Sequence, residues 1–249
     1  MATRHKPSIV FVHGIWAGSS SFNKLIPPLQ AEGYEVLASQ QRLDTLDDDI
    51  ETVRCTIARA SGPVLLVGHS YGGTLITHAG TDPRVAGLVY LAALSLDSGE
   101  TSHEIQAKFP TADVYSYIEM RFGRVWMQPD GIECFAGDLP EQEQKLIWAT
   151  QNPCAGDLLA EIAKGIGWKS KPSWYIVCTN DRTLRPELQR FVAKRMKSTI
   201  FETGSSHVPM LSQPDFVLDV IKKASLAVME NREGDQRAVP LFPEMSARG

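Results

Sequence analysis

Ser70 stands in Gly68-His69-Ser70-Tyr71-Gly72-Gly73, directly after the bare apolar run Val64-Leu65-Leu66-Val67. A serine hydroxyl at the apex of a tight turn between a buried strand and a helix forms a nucleophile elbow, set up to attack an electrophilic carbon. Gly68 and Gly72 carry no Cβ, so the turn can close and hold Ser70 above the sheet in a strained conformation. The apolar run before the motif and the helical pattern over residues 74–79 supply the strand–turn–helix context that gives it specificity.

A hydroxyl is a poor nucleophile until a base takes its proton. The chain has six histidines. His13 and His69 lie in motifs whose work is done by backbone, and His5 lies in the polar leader. His78 is on the helix after the elbow, expected to point away from the apex, and His103 has no strand end beside it. His207, in Gly204-Ser205-Ser206-His207, follows the last predicted strand in a loop that opens over the sheet edge, so it is the expected base. A carboxylate must fix its tautomer and stabilise the imidazolium. In elbow enzymes the acid lies between serine and histidine in the chain, which fits Asp181 in Cys178-Thr179-Asn180-Asp181-Arg182. Asp97, beyond the strand at 87–91, is the alternative acid. Backbone N–H groups are expected to hold the oxyanion: that of Tyr71, and one from the loop His13-Gly14-Ile15-Trp16-Ala17-Gly18, best assigned to Ile15.

These residues need a frame. Short β-branched runs at 8–12, 35–38, 64–67, 87–91, 174–178 and 199–202 alternate with helical stripes, which predicts an α/β fold: a largely parallel central sheet with helices on both faces. Leu46, Ile50, Val53 and Ile57 form one stripe. Leu188, Phe191, Val192 and Arg195 form another behind Pro186, and Val217, Val220, Ile221, Ala224 and Val228 a third after Pro214. The chain is expected to be one domain over 1–249. Within it, residues 98–172 break the rhythm and carry Trp126, Trp148 and Trp168, and are expected to form a mainly helical cap over the strand ends, where open α/β sheets bind ligands. The segment from Asn231 onward is polar and is expected to be loosely ordered or to lie across the surface.

With 249 residues, 43% hydrophobic and 22% charged, the composition is that of a globular protein. The net charge of −4 and the lack of Lys/Arg clusters argue against nucleic acid. No apolar run reaches membrane-span length, and the polar start predicts no secretory leader. Cys55, Cys134, Cys154 and Cys178 are dispersed without a Cys-x-x-Cys pair, so reduced thiols in a cytoplasmic protein are expected, with no metal. No cofactor is expected. The expected partner is a small-molecule substrate, small to medium in size and fairly apolar; a homodimer stays open.

Four segments together carry a resemblance: Phe-Val-His-Gly-Ile-Trp-Ala-Gly, Gly-His-Ser-Tyr-Gly-Gly, Thr-Asn-Asp-Arg and Ser-Ser-His-Val-Pro-Met-Leu-Ser-Gln-Pro. With them the chain resembles the α/β-hydrolase fold family from about residue 8 to 227. Within it, the likeness is to the branch of plant methyl esterases, hydroxynitrile lyases and their microbial relatives. The resemblance implies a Ser70–Asp181–His207 triad and an oxyanion hole at Ile15 and Tyr71. The similar lyases carry a lysine directly after the catalytic histidine, whereas this chain has Val208, and Met210-Leu211-Ser212 matches the esterases. A serine hydrolase of carboxylic esters acting through an acyl-enzyme is therefore expected. The alternatives are a ligand-binding or signalling protein with little turnover, and lyase-like or C–C bond-cleaving chemistry on the same fold.

Overall fold

A computed structural model of the chain describes residues 6–162 and 164–238, with side chains described up to residue 231. The body runs β1 (Ser8–Val12), α1 (Ile26–Ala31), β2 (Val36–Ser39), α2 (Leu46–Ala58), β3 (Val64–His69), α3 (Gly72–Ala79) and β4 (Val85–Leu91). An excursion follows with α4 (Ser102–Gln106), β5 (Ile118–Arg121), β6 (Arg124–Met127), α5 (Ile132–Ala136), α6 (Glu141–Ala149) and β7 (Cys154–Ala155). The body resumes with β8 (Ser173–Cys178), α7 (Pro186–Arg195), β9 (Thr199–Thr203), α8 (Pro209–Ser212) and α9 (Pro214–Ala238).

Six strands form one parallel sheet in the order β2-β1-β3-β4-β8-β9. Every residue of β1, β3 and β8 is buried, which explains why these segments read as continuous apolar runs rather than alternating ones. After β1 the chain moves outward to β2, then returns past β1 to continue on the other side with β3. The strand order therefore reverses between β1 and β3, and the crevice beyond their carboxyl ends is the topological switch point where such sheets bind ligands. The loops carrying Ile15 and Ser70 leave from those two ends.

All six predicted strands and all three predicted helical stripes are present, with ends displaced by a residue or two. The excursion holds short helices and a three-stranded antiparallel sheet, β5-β6-β7, where mainly helices were expected. Its strands are two to four residues long, and most of β5 is solvent-exposed, so no alternating pattern marks it. The last helix corrects a second expectation. It continues to Ala238, so residues 231–238 are not a loose tail. The leader with His5, and the tail beyond 238, lie outside the described residues. Among the described residues no helix is long and apolar enough to cross a membrane.

Candidate active site

Ser70 sits in the turn between β3 and α3 with φ of +55°, in the left-handed region that a β-carbon disfavours. Its neighbours hold it there. The Ser70 N–H donates to Leu91 O (3.1 Å), and Ser70 O accepts from Gly73 N–H (2.9 Å) and Leu94 N–H (3.0 Å). The turn also needs glycine for space: a Cβ on Gly72 would stand 2.3 Å from Val12 O. Gly14, in the loop after β1, presses on the nucleophile itself, since a Cβ there would meet Ser70 Cβ at 2.6 Å and Oγ at 3.1 Å.

His207 is fully buried in the loop between β9 and α8. Its Nδ1–H donates to Asp181 Oδ2 at 2.7 Å, and both side chains are closed to solvent. That bond fixes the tautomer in which Nε2 of the neutral ring is an acceptor. Nε2 is itself buried and has no hydrogen-bond partner. The backbone of His207 is clamped as well: its N–H donates to Phe135 O (3.2 Å), and its carbonyl accepts from His69 Nε2 (2.7 Å). Burial, with the neighbouring His207 second, keeps the His69 imidazole well below its ordinary pKa and therefore neutral. Ser206, one residue earlier, donates its N–H and hydroxyl to Asp138 in the excursion.

Asp181 lies at the carboxyl end of β8 and is saturated with donors. Oδ1 accepts from Thr183 N–H (2.7 Å) and Leu184 N–H (2.9 Å), while Oδ2 accepts from Gln189 Nε2 (2.7 Å) besides His207. Gln189 is fully buried on α7 and also donates to Leu184 O and accepts from Cys178 N–H. Asp97 is elsewhere, paired with Lys169 at 2.5 Å.

The Ile15 and Tyr71 amide N–H groups have no hydrogen-bond partner among the described residues, whereas the adjacent Trp16 N–H donates to Asn152 O (2.9 Å). Ile15, Ser70, Tyr71 and His207 line one cavity of about 110 Å³. Four of the five predicted site residues thus face a single chamber, and Asp181 reaches it through His207. No hydrogen bond joins Ser70 Oγ to His207 Nε2. The rest of the wall is largely apolar, including Leu94, Val114, Ile118, Val125, Leu159 and Leu184.

His103, set aside because no strand end adjoins it, lies on α4 and borders the chamber with Ser70. His13 does hold backbone, with Nδ1–H donating to Gly14 O and Nε2 accepting from Gln41 N–H. His78 accepts from Gly165 N–H, away from the chamber. Sequence reasoning did not find Gln189 or Asp138. Gln189 left one readable signal, a polar residue on the apolar stripe of α7 beside Leu188 and Val192; Asp138 left none. Among the described residues no group of three or more His, Cys, Asp and Glu side chains is placed to hold a metal ion.

Residues 9–220 match the alpha/beta hydrolase family. The chain belongs to that family. It is similar to methylesterase 17 of Arabidopsis thaliana, 25% identical over 265 residues that cover 91% of this chain and 94% of that protein. It is also similar to the pyrethroid hydrolase of Sphingobium wenxiniae, 26% identical over 275 residues, 94% of this chain and 93% of that one. Among solved structures, polyneuridine aldehyde esterase shares the fold with a TM-score of 0.76 at 22% identity, covering 86% of this chain and 97% of that one. Within the α/β hydrolases, β3 and α3 here form the strand and helix that flank the elbow.

Proposed function

We propose that this chain is a carboxylic ester hydrolase that works through an acyl-enzyme on Ser70. One observation carries the reading: a buried imidazole, oriented by a carboxylate on one nitrogen and unpartnered on the other, borders the same chamber as a serine in a strained elbow. His207 Nε2 takes the hydroxyl proton as Ser70 Oγ bonds to the acyl carbon. The carbonyl oxygen becomes an oxyanion held by the Ile15 and Tyr71 N–H groups. The intermediate collapses, the ester C–O bond breaks, and the alcohol leaves with the proton from the imidazolium. Water, deprotonated by the same nitrogen, then releases the acid and restores Ser70.

Asp181, its two oxygens met by four donors, orients His207 and stabilises the imidazolium. The esterase and hydrolase names of the similar proteins support ester hydrolysis, and the apolar chamber supports an apolar substrate. Lyase chemistry with a cation beside the base finds no support, because the residue after His207 is the buried, uncharged Val208. Ser70→Ala should reduce p-nitrophenyl acetate hydrolysis by at least about 10⁴-fold in a protein with unchanged circular dichroism. A fluorophosphonate should label the wild type and not the variant. Turnover that survives the substitution would end this reading.

A further inference from the structure

A second cavity, of about 380 Å³, adjoins the chamber of about 110 Å³. Three residues border both: His103 and Gln106 on α4, and Tyr115 in the following segment. These three residues therefore stand where the two spaces meet. Tyr115 OH donates to Gln106 Oε1 at 3.1 Å, and Gln106 Nε2 donates to Ser102 O at 3.0 Å, so the wall is latched across its middle and anchored to its own helix. Tyr115 is 37% exposed. Its backbone is fixed. The Val114 N–H donates to Arg182 O (3.2 Å), and Asp113 accepts from both Arg182 (2.7 Å) and Arg185 (2.8 Å). The hydrogen bond across the wall is exposed, whereas the segment that carries Tyr115 is tied to the loop after β8.

Size gives the partition a purpose. The inner chamber, at about 110 Å³, is smaller than the roughly 150 Å³ apolar cavity that accepts one benzene ring. Its volume suits the scissile carbonyl and a small substituent. The outer cavity is more than three times larger, with Phe109, Pro110, Ala112 and Leu188 in its wall. Its one guanidinium, that of Arg185, is already engaged by Thr111 O and Asp113.

We propose that Tyr115 and Gln106 form a hinged partition dividing the binding space in two, which makes the chain selective for esters that join one small group to one larger apolar group. This rests on the esterase reading. The small group stays beside Ser70, and the larger one displaces the Tyr115 ring and lies in the outer cavity.

The test is the ratio of kcat/KM for 1-naphthyl acetate to that for methyl acetate, taken within each variant so that any shared loss of turnover cancels. Tyr115→Ala and Gln106→Ala should raise the ratio about tenfold, the scale on which a few atoms of pocket volume discriminate substrates. Tyr115→Phe, which keeps the bulk and loses the latch, should raise it less, and Tyr115→Trp should lower it. Tyr115 is exposed, so the Phe and Trp variants retain the fold even where Ala does not. Ratios within twofold of wild type across the folded, active variants would overturn the partition while leaving the esterase reading intact. Absence of any ester turnover by the wild type would overturn that reading and the partition with it.

Discussion

At the scale of single residues, the chemistry depends on how little space surrounds Ser70. Gly14 illustrates this, because it lies within contact of the nucleophile yet belongs to a different loop, the one that also carries Ile15. A methyl group at position 14 would overlap Ser70 Cβ at 2.6 Å and touch His69 O at 2.9 Å. Either the elbow or the loop must give way, and the two are coupled through the shared oxyanion position. Gly14→Ala is therefore expected to cut ester turnover by about 10²-fold or more, since misplacing a reacting group by about 1 Å costs that much. Fluorophosphonate labelling should slow in parallel. A variant that labels and turns over at wild-type rates would show that the loop can retreat without cost. The elbow itself was legible in the sequence because Ser70, its glycines and its strand are contiguous and each residue type has a local reason to be there. Gly14 was legible only as a loop residue; its contact with Ser70 arises from the packing of two strand ends.

At the scale of elements, one helix and one strand together hold the acid. β8 ends with Asp181 just beyond it, and α7 returns Gln189 to meet it, buried between the strand and the helix. Gln189 makes three hydrogen bonds in that space, to Asp181, Leu184 O and Cys178 N–H. Gln189→Met keeps the volume and removes all three, stranding a buried N–H and loosening Asp181. The expected outcome is a loss of about 1–3 kcal/mol in stability from the stranded group. It should also lower kcat about tenfold, with little change in KM, because the carboxylate orients the base without touching substrate. Gln189→Glu should be worse still, since it sets a second carboxylate against Asp181. Steady-state kinetics decide the point: kcat within twofold of wild type for both variants would make Gln189 a packing residue only. The central strands and the long helices were readable from periodicity because burial on both faces, or on one stripe, dictates their residue types. The β5-β6-β7 sheet and the inward turn of His103, Gln106 and Tyr115 were not. They form part of the excursion, where short, half-exposed pieces are held by long-range contacts such as Ala155 N–H to Leu43 O and Trp16 Nε1 to Val125 O.

At the scale of the whole molecule, buried ionisable groups outside the triad pull the pH dependence of stability in opposite directions. Burial depresses His13 and His78 to about 4. Below the unfolded value near 6.5 the unfolded chain binds protons these side chains refuse, so they make stability rise with pH between about 4 and 6.5. Asp49 on α2 does the reverse. Burial raises its carboxyl from 3.8 to about 6, against the lowering effect of hydrogen bonds from Leu43 N–H, Tyr71 OH and Arg42 N–H. Between about 4 and 6 the folded chain keeps a proton that the unfolded chain has lost, so this group makes stability fall as pH rises and level off above about 6. With His69, which burial also holds well below its ordinary value, the histidines outweigh the single carboxylate, and the wild type should be more stable at pH 7 than at pH 4. Asp49→Asn separates the contributions. The amide keeps an oxygen for the Arg42 and Leu43 N–H groups, turns its NH₂ toward the Tyr71 hydroxyl, and cannot ionise. The unfolding free energy of the variant minus that of the wild type should therefore increase from pH 4 to pH 7 by up to about 3 kcal/mol, at about 1.4 kcal/mol per pKa unit. The histidine contributions cancel in that difference. Urea unfolding at several pH values measures it, and parallel curves for the two proteins would mean that Asp49 is ionised at no cost inside the fold.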